Sequence, residues 1–381
     1  MNLNLKKKQL IDTNLGVPLV FLNRIIAIIF GALLRRNHSV KNKTPDHIII
    51  IKMLGFGSVI LASDSILAIR KKYPLAQLHI VCSESIAEGI ASLQLFDSIL
   101  IINDTSFWDV IISSFKNLRV IWRKSNRWII DLEVYSKLTS LFSLWTMSYN
   151  RFGFYFNDVA FRYRLNTHNV YFNNVVNVEE NYKRMAEALY VEVDEIFILP
   201  GFTPRVNTTQ YKYISINNTC SELSPERKLT PSQLKFICEW ILLNTSYSIA
   251  LMGTKVDFDV HEEFIHTNFS NSLQRLYNYC GKFNLTEYFH FLYNNSKILM
   301  TIDSAPLHIA NKLNVPNISF WGPTSPESRI YNSAMNEFIY MSVSCSPCAH
   351  QTDVLPCGGN NFCISTISNR RIIESMQRML K

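Results

Sequence analysis

The chain has 381 residues, 48% of them hydrophobic and 12% aromatic, with only 12 glycines and 13 prolines. That composition can bury two cores of ordinary domain size, and it excludes a disordered chain or one strung on long flexible linkers. The formal charge of +8 is spread along the chain except for one dense region, from Lys6-Lys7-Lys8 to Arg35-Arg36, which suits an anionic membrane surface or a phosphorylated glycolipid better than a nucleic-acid groove.

Between those basic clusters, Val17 to Leu34 reads as an apolar helix about long enough to span a bilayer, interrupted by Asn23 and Arg24. No small-residue cleavage site follows, so a cleaved signal peptide is disfavoured. Three readings stay open: a helix lying on the cytoplasmic face of the inner membrane, a helix packed on the first domain, or a single span. Residues 1–45 therefore form an N-terminal arm, closed by a polar hinge at 41–46.

A buried strand at 47–52, a helix over 58–72 and further strands at 78–82, 98–102 and 127–131 follow. Strands alternating with helices specify a parallel sheet. A helix over 179–190 closes this domain (46–200), and Pro200-Gly201 with Pro204 marks a linker. The pattern then repeats in a second domain (205–365). Strands are predicted at 212–216, 247–252, 297–302 and 317–321, with helices from Pro231, Asp257, Asn284 and Pro306. A basic helix over 366–380 ends the chain. The fold class is α/β, with two Rossmann-like halves behind an apolar N-terminal helix.

Of the eight cysteines, Cys82, Cys220, Cys238 and Cys280 lie in apolar runs, so the chain is not a disulfide scaffold. Cys345-Ser-Pro-Cys348, Cys357 and Cys363 read either as a zinc site or as reduced thiols in a compact loop.

The most informative segment is Ile298-Leu-Met-Thr-Ile-Asp303-Ser304-Ala305-Pro306-Leu-His308, followed by Asn317-Ile-Ser-Phe-Trp321-Gly322-Pro323-Thr324. A buried strand stops at Asp303-Ser304 and restarts as a helix that either residue can cap, with His308 one turn on. Free N–H groups and the helix dipole favour phosphate at such a junction. Earlier, Lys52-Met-Leu-Gly55-Phe-Gly57-Ser58 has the start of a dinucleotide fingerprint, but its third glycine would fall at Ile60, which leaves a nicotinamide-dependent oxidoreductase poorly supported. Asp131-Leu-Glu133 ends a strand. These two are either a helix cap and a solvated charge, or a pair of carboxylates at a site. Asp257-Phe-Asp259 opens a helix, where acidic residues serve the dipole rather than a metal.

The wording of 298–324 resembles glycosyltransferase family 9, the lipopolysaccharide heptosyltransferase family, with Ala305 where that family usually has glycine. Ile216-Asn217-Asn218-Thr219, Arg227 before Pro231, Gly281-Lys-Phe-Asn284-Leu-Thr-Glu287 and the cysteine group extend the resemblance over nearly the whole chain. The resemblance implies a GT-B fold, two Rossmann-like domains facing across a cleft with the last helix crossing back. It also implies an inverting, metal-independent transfer of a sugar, heptose from ADP-heptose as co-substrate, onto a lipopolysaccharide core or related envelope saccharide. No cofactor beyond that donor is implied. Donor contacts would come from Asp303, Ser304, Ala305, His308, Thr219, Arg227, Gly253 and Asn284. Ser58 stands where the family normally carries an aspartate base, so Glu133 or Asp131 would take the acceptor proton, with Lys137 near an acceptor anion. Ser58 and Ala305 also motivate a second reading, a non-catalytic glycan-binding or sugar-nucleotide-binding descendant.

Overall fold

In the structure, a computed structural model, residues 5–203, 205, 211–220, 225–269, 275–329, 335–349, 352, 355 and 357–380 are described. Pro204, the far end of the expected linker, lies outside them. The chain divides into two compact units, Met1–Phe197 and Ile198–Lys381.

The first unit begins with α1 (Leu5–Asn14) and α2 (Gly16–Leu34). It continues through β1 (His47–Ile51), α3 (Phe56–Lys72), β2 (Gln77–Ser83), α4 (Glu84–Ser92), β3 (Ser98–Ile102), α5 (Phe107–Trp122), β4 (Arg127–Asp131), α6 (Lys137–Trp145), β5 (Asn150–Tyr155), β6 (His168–Tyr171) and α7 (Val178–Glu187). The second contains β7 (Tyr213–Asn217), α8 (Pro231–Asn244), β8 (Ser248–Leu251), α9 (Phe258–Phe269), β9 (Leu276–Asn278), α10 (Leu285–Asn295), β10 (Ser296–Ile302), α11 (Ala305–Lys312), β11 (Asn317–Trp321), β12 (Asn336–Tyr340), α12 (Phe362–Ser365) and α13 (Asn369–Met379).

Each unit has a six-stranded sheet, in the orders β3-β2-β1-β4-β5-β6 and β12-β11-β10-β7-β8-β9. Every pairing in both is parallel. Both sheets therefore follow one path: start in the middle, wind out one way, return, and wind out the other. The strand order reverses between β1 and β4 in the first unit and between β7 and β10 in the second. Ligands of open parallel sheets bind in the crevice at such a reversal, off the strand carboxyl ends.

The central strands form where the sequence is a near-continuous apolar run, as in His47-Ile-Ile-Ile-Ile51, because helices cover both faces. The cores follow: Ile49, Ile51, Val81, Ile129 and Leu118 in the first unit, and Ile214, Ile216, Ile249, Met300 and Phe320 in the second. The last helix, expected to cross back, packs on β11, β12 and α8 of the second unit, burying Ile372 and Met376 in that core. Its opposite face is charged, with Arg370 and Arg378 paired to Glu374 and Glu337.

Candidate functional site

At the reversal of the first unit, the turn after β1 is held by a side chain from the turn after β4. Glu133 Oε1 accepts from the backbone N–H groups of Met53 (2.8 Å) and Leu54 (3.0 Å), and its Oε2 pairs with Lys52 Nζ at 3.0 Å. Burial by itself would push the Lys52 ammonium down; the Glu133 carboxylate overrides it and holds the lysine above its ordinary value. The register that places Ile51 beside Asp131 brings these residues together. Gly55, at φ 82, supplies the left-handed residue from which α3 starts. Ser58 lies in the first turn of α3, its N–H on the Gly55 carbonyl. The position of a third fingerprint glycine is Ile60, fully buried.

The two carboxylates differ in access. The Glu133 side chain keeps 16% of its surface exposed, with acceptor capacity left over from its three donors. Asp131 is fully buried: Oδ2 meets Arg162 Nη2 at 3.2 Å and the Thr139 hydroxyl at 3.1 Å, and Oδ1 accepts from the Glu133 N–H at 3.0 Å. Burial pushes the Asp131 carboxyl up to about 6 against the pull of Arg162. Enclosed in this way, Asp131 cannot touch an acceptor as the sequence allowed; it positions the connection that carries Glu133. Arg162, which no local pattern in the sequence marks, also donates to the carbonyls of Phe154, Glu133 and Ser136. Lys137 Nζ lies 3.8 Å from Asp12, whose carboxylate also accepts from the N–H groups of Lys137 and Leu138 at the start of α6.

At the reversal of the second unit, the turns after β7 and β10 bring Arg227 and Asp303 together, two residues 76 positions apart. Arg227 Nη1 donates to the Asp303 carbonyl at 2.5 Å and lies 3.9 Å from Asp303 Oδ2. Burial pushes the Asp303 carboxyl up, but Arg329, Arg227 and His308 outweigh it and hold it below the usual carboxylate range. Ser304 is the N-cap residue of α11, yet among the described residues no side chain makes a cap hydrogen bond to that helix, contrary to the expectation for Ser304 or Asp303; the Ser304 hydroxyl turns back to the Ile302 carbonyl at 3.4 Å. Pro306 in the first turn has no N–H to leave unpaired, and the N–H of Leu307 goes to the Ser304 carbonyl. Ala305 takes a helical position that accepts a Cβ. His308 is buried with Nδ1 unpartnered among the described residues, and burial depresses its imidazole to about 4 against the pull of Asp303, leaving it neutral near pH 7.

Other residues named from the sequence have local duties. Thr219 donates its hydroxyl and its N–H to Asn217 Oδ1, so that hydroxyl proton is not available to a phosphate. Asn218 pins the turn by pairing with both backbone groups of Leu229. Gly253 has no room for a side chain, since a Cβ there would lie 2.8 Å from Cys280 Sγ; Met252 beside it is buried. Asn284 and Glu287 form a reciprocal cap on α10, and Thr254 and Asp257 do the same before α9. Cys82, Cys238, Cys280, Cys345, Cys348, Cys357 and Cys363 are free thiols, and among the described residues no group of three or more His, Cys, Asp or Glu is arranged to hold a metal. The cysteine loop instead straps the Gly322-Pro323 turn: the N–H groups of Cys348 and Ala349 both reach the Pro323 carbonyl.

The buried His308 has a consequence for acid stability. Between its ordinary value of 6.5 and about 4, the unfolded chain takes a proton that the native imidazole refuses, so stability falls as pH falls through that window. Asp131 works in the opposite sense between 3.8 and about 6, but does so with or without His308. In urea titrations at pH 7 and pH 5, His308→Gln is therefore expected to lose about 1–2 kcal/mol less than wild type on acidification. Equal losses would mean that His308 titrates normally in the native state.

Comparison with known proteins agrees with this architecture. Residues 236–358 match the sequence model for glycosyltransferase family 9 (heptosyltransferase). Over 87 residues the chain is 34% identical to lipooligosaccharide heptosyltransferase 2 of Haemophilus influenzae (strain ATCC 51907 / DSM 11121 / KW20 / Rd); the match covers 23% of this chain and spans a quarter (25%) of that relative's length. Among solved structures, a glycosyl transferase family 9 protein of Veillonella parvula DSM 2008 superposes with TM-score 0.69 at 17% identity, over 88% of this chain and 97% of its own. E. coli ADP-heptose LPS heptosyltransferase II does so with TM-score 0.67 at 15% identity, over 88% and 98%. E. coli heptosyltransferase WaaC with ADP-2-deoxy-2-fluoro heptose gives 0.64 at 11%, over 86% and 99%. The two parallel sheets are of the GT-B type, and the segment that matches the glycosyltransferase family 9 model lies wholly within the second unit.

Proposed function

We propose that the protein is an inverting glycosyltransferase that moves heptose from ADP-heptose onto a lipopolysaccharide core or related envelope saccharide. The observation that carries this reading is the second-unit reversal, where an uncapped helix N-terminus, Arg227, buried Asp303 and neutral His308 are gathered. A nucleotide diphosphate suits that place. Its charge, growing as the glycosidic bond breaks, meets the positive end of the α11 dipole and the Arg227 guanidinium, which need no reorganisation at that moment. Those fixed charges stabilise the leaving group without calling on a metal. Asp303 holds Arg227 through its carbonyl and carboxylate, and the open Nδ1 of His308 is a hydrogen-bond site for the donor.

Glu133 takes the proton of the acceptor hydroxyl as that oxygen attacks the anomeric carbon, while Lys52 and the two backbone N–H groups keep the carboxylate in place. One direct displacement gives inversion, with no sugar bound covalently to the protein. Support for the heptosyl and ADP parts comes from the relatives, named as ADP-heptose heptosyltransferases or solved with an ADP-heptose analogue.

The test is calorimetric titration with ADP-heptose, UDP-sugars and GDP-sugars, comparing wild type with Asp303→Asn. Binding of ADP-heptose that weakens at least about tenfold in the variant is expected, since losing a buried charge partner of Arg227 costs more than about 1.4 kcal/mol. Preference for another nucleotide would change the sugar and keep the reaction. Failure of the folded wild type to bind any of these donors would favour the non-catalytic reading.

A further inference from the structure

α2 is turned inside out for a helix facing water. Between Gly16 and Leu34 the only polar side chains are Asn23 and Arg24, and both face the protein. Asn23 Oδ1 accepts from Trp145 Nε1 at 2.9 Å, and the Arg24 guanidinium lies 5.5 Å from the Tyr163 ring centre. On the same stripe, Val20 packs with Leu141 and Leu165, and Gly16 lies so close to Lys137 that a Cβ would meet its Cβ at 2.7 Å. The opposite side, with Phe21, Leu22, Ile25, Ile29 and Leu33, is exposed and wholly apolar; Phe21 is 68% and Leu33 73% accessible. A helix on a protein in water normally has these faces the other way round.

We infer that α2 is an in-plane anchor that docks the first unit on an anionic lipid bilayer. Charge complementarity selects this occupant. Arg35 and Arg36 follow the helix directly, and Lys41 and Lys43 come next, all exposed. Arg36 and Lys43 lie over the ring of Tyr149 at 5.4 and 5.8 Å. Cations beside an apolar face match anionic headgroups over acyl chains, and partly exposed Trp145, Tyr149 and Tyr163 are the side chains that settle at that boundary. In a parallel twofold pairing of two copies through α2, the same cations would oppose one another.

The inward polar stripe separates lying from spanning. Nineteen residues would reach across a hydrocarbon core, but a span would strip Asn23 and Arg24 from Trp145 and Tyr163 and carry the arginine into lipid. Lying flat keeps both contacts. The arm is also tied down elsewhere, through Lys8 to Asp104 at 2.5 Å and Asp12 to the start of α6. The inference stands on the first unit alone and does not depend on the donor chemistry.

The test is flotation of the full-length protein with vesicles of phosphatidylcholine alone or mixed with phosphatidylglycerol, followed by an alkaline carbonate wash. Wild type is expected to float with the mixed vesicles, at least about tenfold less with phosphatidylcholine alone, and to be released by carbonate. Ile25→Glu/Ile29→Glu, on the outward face, should abolish flotation while leaving the circular dichroism melt unchanged. Arg35→Glu/Arg36→Glu should weaken binding to mixed vesicles by at least about tenfold. Absence of wild-type flotation, or equal flotation of Ile25→Glu/Ile29→Glu, overturns the inference. Retention after carbonate overturns it in favour of a span. A lipid-free dimer that the glutamates dissolve, without vesicle binding, assigns the face to a second copy.

Discussion

Glu133→Gln is expected to lower turnover by about two to four orders of magnitude, the contribution of a positioned general base, while leaving donor affinity near that of wild type because the residues proposed to hold the donor lie in the second unit. The substitution also has a structural effect that must be separated from the chemical one. Lys52 is buried and has Glu133 as its carboxylate partner at 3.0 Å, so a neutral glutamine leaves an uncompensated ammonium, at a cost of about 3–5 kcal/mol. Lys52→Met/Glu133→Gln removes both charges. The double variant should regain most of the lost stability and none of the lost turnover. Sugar transfer measured under single-turnover conditions, beside urea unfolding of the same three proteins, resolves the two effects. Turnover of folded Glu133→Gln within a few-fold of wild type would remove Glu133 as the base and leave it as a clamp on the turn after β1.

Arg162→Met is expected to be the most destabilising change in the first unit, by about 3–5 kcal/mol, because it strands the Asp131 carboxylate in a fully buried site. The loss should grow as pH rises. Burial already lifts Asp131 to about 6 with the guanidinium beside it, so removing that cation raises the carboxyl further, and the variant keeps falling in stability above pH 6 where wild type has levelled off. Arg162→Met/Asp131→Asn should recover much of the loss, since replacing both members of a buried pair costs far less than orphaning one. Urea titrations at pH 5.5 and pH 8 test this. A single-variant cost below about 1 kcal/mol at pH 8 would mean that water or another group reaches Asp131.

Half-buried strands were the least legible part of the fold. Asn150-Arg-Phe-Gly-Phe-Tyr155, His168-Asn-Val-Tyr171, Leu276-Tyr-Asn278 and Asn336-Glu-Phe-Ile-Tyr340 are strands that the apolar pattern did not mark. Three of them, β6, β9 and β12, are sheet edges. They are short and leave polar residues to solvent, so their pairing comes from the neighbouring strand more than from their own composition. The site divides in the same way. Asp303, His308 and Arg227 stood out because a strand-to-helix junction has a local signature, and the structure puts them in one place. Thr219 and Asn284 stood out for equally local reasons, but those features are a turn and a cap whose hydrogen bonds engage the same side-chain atoms a ligand would need.

Local order along the chain determined that two parallel α/β units follow one another, where their central strands and most of their helices lie, and which turns carry polar chemistry, because apolar runs, helix caps and breakers act over a few residues. It also marked the N-terminal arm as apolar with basic ends, without deciding which way that helix faces. Tertiary structure decided the rest: that Asp131 is enclosed by Arg162 while Glu133 stays accessible, that Lys52 belongs to Glu133, that the helix after Ser304 is uncapped, and that Asn23 and Arg24 turn inward on α2. Each depends on strand register or on the packing of segments far apart in sequence. Electrostatics and burial are properties of three-dimensional neighbours, and one sequence by itself does not record who those neighbours are.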